Sequence, residues 1–399
     1  MEWKLKDLTV DGKGSYGIGA PAVPYQEDKL TYLRITDIND DGSLNFSDLK
    51  SVDAEDAEKY ILKENDIVFA RTGNSTGRSY FYEKQHGTFV YAGFLIKFSL
   101  DPNKVNPRIL KYYTHSKPYF DWVNSFDTGA TRGNINAKTY GDMEIELPSR
   151  KVQDKIVSIL SSLDRKIELN NKINADLEEM AQAIFKNWFV DFEPFKDGKF
   201  VDSELGMIPE GWKVGTLGDI TNNKSAKVKE RNDVKVLSPV TTGELVLSEE
   251  YFTKQVFSSS IAKYKIVNKG DFAYNPARVN IGSLGRNEFD FDGCVSPVYV
   301  VFSVLDRYEN YFDLFRKTDF FKDSVASLAI GGVRQSLSYD DLSSIEVIIP
   351  SENAVEEFNN LYNQMKKTIK ANKLENSRLS LLRDTLLPRL MSGEIEVPE

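Results

Sequence analysis

Residues 156–174 read IVSILSSLDRKIELNNKIN, and one set of side chains recurs in this segment at alternating spacings of four and three residues. The spacing continues to residue 188, and positions 202 residues further along form a second stripe. The two stripes are Ile156, Leu160, Leu163, Ile167, Asn170, Asn174, Leu177, Ala181, Ile184 and Trp188, and Phe358, Tyr362, Met365, Ile369, Asn372, Asn376, Leu379, Arg383, Leu386 and Leu390. A 3.5-residue period over more than four heptads is typical of a left-handed coiled coil.

Both stripes are interrupted at the same place by two asparagines, Asn170 and Asn174 in the first and Asn372 and Asn376 in the second. An asparagine in a coiled-coil seam costs stability but specifies register and orientation. The equal offset favours pairing of the two helices with each other, although each could instead pack as an amphipathic helix on its own domain. A two-fold-like arrangement would make the pair antiparallel, and about 35 helical residues would span roughly 50 Å as a spacer.

The same offset relates segments outside the helices, which predicts two copies of one unit. Pro148-Ser149 matches Pro350-Ser351, and Gly129–Arg132 matches Gly331–Arg334. Each copy is a mixed domain followed by a long helix. The predicted boundaries are 1–148 for the first globular domain, 149–193 for the first spacer helix, 194–210 for a linker, 211–350 for the second globular domain, and 351–399 for the second spacer helix and tail.

The globular segments combine strand and helix patterns. Strands are predicted at Ile67–Ala70, Phe89–Phe98 and Val295–Phe302, where Tyr, Phe and Val are enriched between Gly, Asn and Asp. Short helices are predicted near residues 107–125 and 308–327. The predicted fold class is therefore α+β, with two similar domains built on a mainly antiparallel sheet and separated by the antiparallel coiled coil.

Composition excludes several classes of function. The only cysteine, Cys294, rules out a disulfide framework and a Cys-based zinc site, and the only histidines are His86 and His115. A His-rich metal site or a catalytic His triad is therefore hard to build. No stretch approaches 18 apolar residues, and the segment MEWKLKDLTV at the start lacks an apolar signal core, so we expect a cytoplasmic protein without membrane association.

The formal net charge of −9 argues against nucleic acid as a partner, but the charge is unevenly distributed. Residues 37–66 contain ten acidic and three basic side chains, whereas residues 67–140 contain ten basic and four acidic ones. We interpret the acidic run as a solvated face. A globally acidic chain can still present a locally basic surface. Lys224–Lys235, with five basic and two acidic residues, could follow a nucleic-acid backbone or form an exposed loop.

One pair of equivalent loops has the composition of a DNA contact. Segment Arg71–Ser79 places small, hydroxyl and amide residues between two arginines, and Asn275–Arg286 is its counterpart. Backbone N–H and hydroxyl groups suit phosphates, while Arg and Asn suit base edges. The alternative is that both are simple hairpin turns. The candidate residues are Arg71, Thr72, Asn74, Ser75, Thr76 and Arg78, and Asn275, Arg278, Asn280, Ser283 and Arg286.

A second pair of loops follows the same logic. Gly129–Lys138 is matched by Gly331–Leu337, with the framework repeated and the polar side chains changed. Such a pattern suits two readers of different short sequences, because Arg and Asn or Gln make bidentate contacts to guanine and adenine. A solvated loop with one structural arginine is the alternative. The candidates are Thr131, Arg132, Asn134, Asn136 and Lys138, and Arg334, Gln335 and Ser336.

No catalytic apparatus is evident in the sequence. Tyr274–Ala277 partly resembles the Asn-Pro-Pro-Tyr motif of adenine methyltransferases, but it lacks the aromatic residue that would stack a flipped base. We find no convincing glycine-rich cofactor loop and no convincing acidic metal cluster. We therefore predict a non-catalytic chain that holds no cofactor and no metal of its own.

Five segments, in this order along the chain, resemble those of one family. They are Leu147-Pro148, Ile167–Asn170, Ala183–Glu193, Ile208–Lys213 and Leu386–Glu394, and they are distributed over residues 147–394. The chain resembles the specificity (S) subunit of a type I restriction–modification system. Segments Asp66–Gly77 and Gly129–Asn134 also resemble recurring segments of the recognition domains of this family.

The resemblance implies two target-recognition domains, each reading half of a bipartite site in double-stranded DNA. It also implies two methyltransferase (M) subunits, which bind S-adenosylmethionine and methylate adenine N6, and restriction (R) subunits, with ATP and Mg on these partners. Two alternatives stay open: the recognition chain of a type II system with one fused methyltransferase–nuclease partner, and a coiled-coil scaffold that binds only proteins. The first alternative differs from the type I reading in its partner, which would be one large fused subunit in place of separate M and R subunits. The second alternative differs in that its function would not depend on DNA.

Overall fold

The computed structural model describes residues 2–126, 133–252, 254–329 and 336–397. The chain divides into two compact units, the first containing Met1–Asn170 and Lys373–Glu399 and the second containing Asn171–Asn372. Both boundaries fall within long helices, so each unit contains a segment of each long helix.

The first part of the chain contains a run of short strands followed by helices. Its strands are β1 Glu2–Lys4, β2 Ser15–Tyr16, β3 Ala22–Pro24, β4 Thr31–Leu33, β5 Lys50–Val52, β6 Asp66–Ala70, β7 Ser79–Phe81, β8 Phe89–Tyr91, β9 Leu95–Ser99 and β10 Glu144–Glu146. Its helices are α1 Pro107–Tyr113, α2 Lys117–Asn124, α3 Ala137–Gly141 and α4 Arg150–Phe189.

The second part of the chain repeats this order of elements. Its strands are β11 Phe200–Val201, β12 Ile208–Pro209, β13 Lys213–Thr216, β14 Thr221–Lys224, β15 Lys235–Pro239, β16 Leu245–Leu247, β17 Lys265–Val267, β18 Phe272–Tyr274, β19 Leu284–Arg286, β20 Gly293–Val295, β21 Val300–Val304 and β22 Glu346–Ile349. Its helices are α5 Ser248–Tyr251, α6 Glu309–Phe315, α7 Asp319–Ala329, α8 Tyr339–Ser343 and α9 Glu352–Met391.

In the first unit, the central sheet has the antiparallel order β2-β9-β6-β7. All five residues of β6 are buried, because apolar side chains cover both faces of this strand. Phe69 packs on one face with Phe98, Tyr119 and Tyr140, whereas Val68 belongs to the cluster on the other face. A second sheet, β3-β5-β4-β8, includes one parallel pair, β4 with β8. Packing on both faces therefore fixes the position of β6, and with it the start of the loop that follows this strand.

In the second unit, the central sheet has the corresponding antiparallel order β14-β21-β18-β19. Its other sheet, β16-β15-β20-β17, also contains one parallel pair, β15 with β20. Phe272, Phe302 and Phe312 pack together in the core at centroid separations of 4.9 to 5.5 Å. The internal repeat of the sequence thus corresponds to a repeated sheet connectivity.

The α+β class and the mainly antiparallel pairing are confirmed, with two differences in detail. The predicted strand Phe89–Phe98 is two strands, β8 and β9, because the chain passes from the second sheet to the central sheet between them. The predicted strand Val295–Phe302 is likewise divided between β20 and β21 for the same reason. Each predicted short helix is a pair of helices, α1 with α2 and α6 with α7.

The two long helices each contain 40 residues, and every position of the two sequence stripes is buried or half-buried. Within the first unit, Asn170 contacts Asn376 and Asp164 contacts Arg383. Within the second unit, Asn174 contacts Asn372, and Phe185 lies 6.2 Å from Phe358 between ring centroids. Within each unit, residues later in α4 contact residues earlier in α9, so the two helix segments pair in antiparallel orientation.

Across the described ranges, no helix combines the length and apolar character that crossing a bilayer requires. The same ranges hold no group of three or more His, Cys, Asp or Glu side chains arranged to bind a metal ion.

Candidate nucleic-acid interface

The loop that follows β6 is a tight turn built around a glycine. Ala70 O accepts a hydrogen bond from Gly77 N (3.0 Å), so residues 71–77 close between β6 and β7. Gly77 has φ +89°, a conformation that favours glycine, and a Cβ there would lie 2.6 Å from Val123 Cγ1. Tyr119 also donates its hydroxyl to Gly77 O at 2.6 Å. The buried side of the loop is therefore held by α2, which leaves the side chains of its first residues at the surface.

The structure brings the two predicted loops of the first unit together. Ile135 N donates to Arg71 O (3.0 Å), and Thr76 Oγ1 donates to Gly133 O (3.0 Å). Arg71 Nε also donates to Asn134 Oδ1 at 3.4 Å. Residues more than fifty positions apart in sequence thus form one polar surface. Thr131 and Arg132 lie outside the described residues, as do Arg334 and Gln335.

Two exposed aromatic residues adjoin this surface, and neither is predicted as a site residue from the sequence. The guanidinium carbon of Arg71 lies 5.0 Å from the ring centroid of Tyr16, whose hydroxyl accepts a hydrogen bond from Ala137 N at 3.1 Å. Phe94 is 59% exposed, and its carbonyl accepts a hydrogen bond from Arg71 N. The available signal was an aromatic residue within the glycine-rich segment 12–19, where a packed core residue is not expected.

Other predicted residues of these loops make internal contacts. Arg78 donates from Nε to Asp40 Oδ1 (2.6 Å) and from Nη1 to Ile38 O (3.0 Å). Ser75 is buried, and Asn136 caps α3 by accepting from Thr139 N at 2.9 Å. Arg78 therefore ties the acidic run to the loop. The remaining candidates are at least partly accessible: half-buried Arg71 and Thr72, and exposed Asn74, Asn134 and Lys138.

The corresponding loop of the second unit has the same backbone contact with different side chains. Leu337 N donates to Pro276 O at 3.1 Å, at the position equivalent to Ile135 and Arg71. Asn275 Oδ1 accepts a hydrogen bond from Ala277 N at 3.1 Å, which fixes the turn that presents Arg278. Arg278, Asn280 and Ser336 are exposed. The second loop therefore presents its exposed arginine, Arg278, two residues after Pro276, which is the position equivalent to Arg71.

Two predicted residues of the second unit lie in its interior. Ser283 is 1% exposed and donates its hydroxyl to Pro239 O at 2.9 Å. The side chain of Arg286 is 12% exposed, pairs with Glu309 and lies 5.8 Å from the ring of Phe272. Both side chains are therefore engaged in holding β19 against its neighbours.

A cavity of about 350 Å³ adjoins Arg278 in the second unit. It lies between β15, the side chains of Tyr251, Phe252, Val256 and Phe257, and the loop that contains Asn275 and Arg278. Its lining combines these two polar side chains with the aromatic residues Tyr251, Phe252, Phe257, Tyr264 and Tyr299. The cavity thus adds an aromatic wall to the surface of the second loop.

Two of the five basic side chains of segment Lys224–Lys235 are paired with carboxylates of the same unit. Lys224 pairs with Asp271 at 2.8 Å, and Arg231 pairs with Asp233 and Asp292. The hydrogen bond from Arg231 lowers the pKa of Asp233 to about 2, as expected for a carboxylate bound to a guanidinium. Lys227 and Lys229 remain exposed in this segment.

The thiol of Cys294 and the imidazole groups of His86 and His115 lie in three separate surroundings. Burial raises the pKa of the Cys294 thiol to about 11, so the thiol stays protonated near neutral pH. Burial lowers the pKa of His86 and of His115, which lie in separate surroundings against Tyr80 and Lys111.

Comparison with known proteins identifies similar sequences and one similar fold. Residues 16–179 match the family model of the type I restriction modification DNA specificity domain. The MjaIX specificity subunit of Methanocaldococcus jannaschii is 28% identical over 302 residues, covering 73% of this chain and 69% of the relative. The HindI specificity subunit of Haemophilus influenzae is 25% identical over 422 aligned residues, covering 84% and 88%. The crystal structure of a type I restriction–modification S subunit from M. genitalium has a TM-score of 0.58 at 17% identity, covering 98% and 96%, which shows a shared fold.

Proposed function

Because this chain belongs to the family of type I restriction–modification specificity subunits, we propose that it selects the DNA site on which its complex acts. The observation that carries this proposal is the repeated loop contact. Ile135 N bonds to Arg71 O in one unit, and Leu337 N bonds to Pro276 O in the other, while the accessible side chains differ. Two similar frameworks with different polar side chains suit two readers of different half-sites in double-stranded DNA.

Each recognition domain reads one half of a bipartite site in this proposal. The domains are residues 1–148 and 211–350, and the candidate contacts are the accessible residues of the loops. In the first unit these include half-buried Arg71 and exposed Asn134, and in the second they include exposed Arg278 and Asn280. Ser283 and Arg286 serve instead as internal supports of the second loop.

The two long helices set the gap between the half-sites. The antiparallel pairing of α4 and α9 segments within each unit supports an antiparallel coiled coil, and so do the paired asparagines. In this proposal a helical spacer of roughly 50 Å would hold the two readers about one helical turn of a duplex, or slightly more, apart.

The chemistry belongs to partner subunits. Two M subunits bind S-adenosylmethionine and methylate adenine N6, and R subunits use ATP and Mg for restriction. The chain itself is a non-catalytic cytoplasmic subunit that brings these partners to the site.

This chain alone binds DNA weakly in our proposal. Its net charge is −9, and two cations of the candidate loops are paired internally, Arg78 with Asp40 and Arg286 with Glu309. Phosphate contacts supply most of the affinity of DNA-binding proteins, so the M subunits must contribute basic surface.

The test is the adenine methylome of the host, measured by long-read sequencing with and without the gene for this chain. We expect deletion to remove one bipartite N6-methyladenine motif, and the gene supplied in trans to restore it. A methylome in which no bipartite motif depends on the gene, although the M subunits are expressed, would contradict the proposal. Purification of the complex separates the alternatives, since a single fused methyltransferase–nuclease partner would indicate a type II system.

A further inference from the structure

We infer that Arg71 reads a guanine in the half-site of the first unit, and that Asn134 and Tyr16 position its guanidinium for that contact. The inference rests on the proposed function and assigns one base to one side chain.

Arg71 is distinguished by its available donors. Among the residues that the structure describes, Arg71 has no carboxylate partner, whereas the guanidinium groups of Arg78 and Arg286 pair with Asp40 and Glu309. The backbone of Arg71 is fixed on both sides, because its N–H donates to Phe94 O and its carbonyl accepts from Ile135 N. A long side chain with unused donors thus starts from a rigid position.

Two neighbours restrict how the guanidinium can turn. Asn134 Oδ1 accepts a hydrogen bond from Nε at 3.4 Å, which occupies that edge of the group. The ring of Tyr16 lies 5.0 Å from the guanidinium carbon and sets the position of its plane. The edge that remains carries the two terminal nitrogens, each with N–H donors.

Tyr16 is itself held firmly enough to act as a platform. Its hydroxyl accepts a hydrogen bond from Ala137 N, and its backbone pairs with Ile96 in the central sheet. The next residue is Gly17, where a Cβ would lie 2.2 Å from Tyr91 O of β8, so the backbone of the second sheet approaches closely there. The ring is therefore anchored at its hydroxyl end and at its backbone.

The donor pattern selects the base. Guanine presents two acceptors, O6 and N7, in the major groove, and two parallel N–H donors match both. Adenine presents one acceptor and one donor, so a guanidinium edge leaves its amino group unmatched. The Asn134 Oδ1 atom, which an asparagine would use in a bidentate contact to adenine, faces Arg71 Nε at 3.4 Å in this structure. We assign Asn134 a positioning role.

The experiment measures which base is tolerated at each position of the methylated motif. Wild-type and variant chains are expressed with their M subunits in a host without adenine methylation, and the motifs are determined by long-read sequencing. We expect a G·C pair in one half of the wild-type motif. Arg71→Ala should raise methylation of sites with another base pair there by about ten- to hundred-fold relative to the cognate site, with the other half unchanged. Arg71→Lys should raise it less, because an ammonium group can still donate to guanine O6 or N7.

Positioning residues should affect the same position more weakly. Asn134→Ala and Tyr16→Leu should partly relax discrimination at that position. Tyr16→Phe, which keeps the ring but loses the hydroxyl contact with Ala137 N, should relax it less than Tyr16→Leu. Arg108→Ala is the matched control, because Arg108 also lies over an aromatic ring, Phe81, but binds Glu83 through both terminal nitrogens. That variant should leave the motif unchanged.

The remaining outcomes separate the inference from the function on which it rests. If Arg71→Lys and Arg71→Ala lower methylation at all sites equally and keep the motif, Arg71 contacts a phosphate and the inference is overturned while the proposed function stands. A wild-type motif without a G·C pair at the affected position also overturns it. If the wild-type chain directs no motif at all, the proposed function itself fails.

Discussion

The side-chain amide of Asn170 donates to Oδ1 of Asn376 at 2.9 Å, although 206 residues separate the two positions. In the other unit, Asn372 donates to Asn174 at 2.9 Å. Each bond joins α4 to α9 at a stripe position where an apolar side chain would give more stability. A polar pair at such a position accepts only one partner alignment, so these amides specify which residues of the helices face each other.

Replacing Asn170 by alanine should destabilise the first unit by about 1–3 kcal/mol, because the variant removes buried hydrogen bonds to Glu375 and Asn376. Chemical unfolding followed by circular dichroism measures the change. Leu169→Ala is the control, since Leu169 is 52% exposed on the adjacent helix position and should cost less than about 0.5 kcal/mol. Equal stabilities for the two variants would show that Asn170 contributes nothing at this position.

Replacing Asn170 and Asn174 together by leucine should preserve folding and loosen the register of the helices or promote self-association. Size-exclusion chromatography with light scattering reports association, and the spacing of the methylated motif reports register. An unaltered oligomeric state together with an unaltered motif spacing would argue against a register role for these asparagines.

Asp164 should stabilise the first unit in a pH-dependent manner. Burial alone would raise the pKa of Asp164, but Lys111, Arg383 and the Tyr112 hydroxyl together hold it below the ordinary value. A carboxyl with a lower pKa in the folded state stabilises the protein above pH ~3.9 and loses that contribution as pH falls through its folded pKa. Asp164→Asn should therefore cost about 1–3 kcal/mol near pH 7 and progressively less in acid.

The matched control is Asp384→Asn, because Asp384 also contacts Arg383 at 3.0 Å but is 62% exposed. An exposed pair is screened by water, so this variant should change stability by less than about 0.5 kcal/mol at any pH. Thermal unfolding between pH 3 and pH 8 tests both variants. A pH-independent loss in Asp164→Asn would mean that packing, and not charge, explains its effect.

Arg278→Ala should relax the second half of the motif and leave the first half intact, because Arg278 is exposed beside the aromatic-lined cavity of the second unit. Arg286→Ala serves as the comparison: its side chain is 12% exposed and pairs with Glu309, so it should lower stability by about 1–3 kcal/mol instead. The methylome and thermal unfolding are measured for both. Relaxation of both halves by Arg278→Ala would contradict separate readers.

Inserting one heptad into each long helix, after Asn170 and after Asn372, should lengthen the tolerated gap between half-sites. Seven helical residues add about 10 Å, and duplex DNA rises about 3.4 Å per base pair, so the gap should grow by about three base pairs. Inserting the heptad in α4 alone is the control and should abolish methylation, since the stripes then lose their alignment. Methylation with the original gap would defeat the spacer proposal.

Much of the fold could be predicted because its signals are local. The 3.5-residue period of the long helices, the strand β6 and the α+β class follow from residue patterns that repeat within a few positions. The division of Phe89–Phe98 into β8 and β9 could not be predicted in this way. The run is mostly apolar and aromatic throughout, and the separate partners of its two halves, β4 and β6, divide it.

The sequence identified candidate loops and candidate residues but not the contacts among them. Segments 71–79 and 133–138 do meet, but their composition did not show that Arg71 contacts Asn134 while Arg78 binds Asp40. Tyr16 was absent from the prediction because its role depends on Arg71, 55 residues further along the chain.

The internal repeat, the two long amphipathic helices with their asparagines, and the resemblance to specificity subunits could all be read from the order of residues, since each consists of spacing and residue type along the chain. Which cations are available for DNA depends instead on folding. A guanidinium is available or neutralised according to the carboxylates that the fold brings to it, such as Asp40 for Arg78 and Glu309 for Arg286. Those partners lie 38 and 23 residues away, where no local pattern connects them.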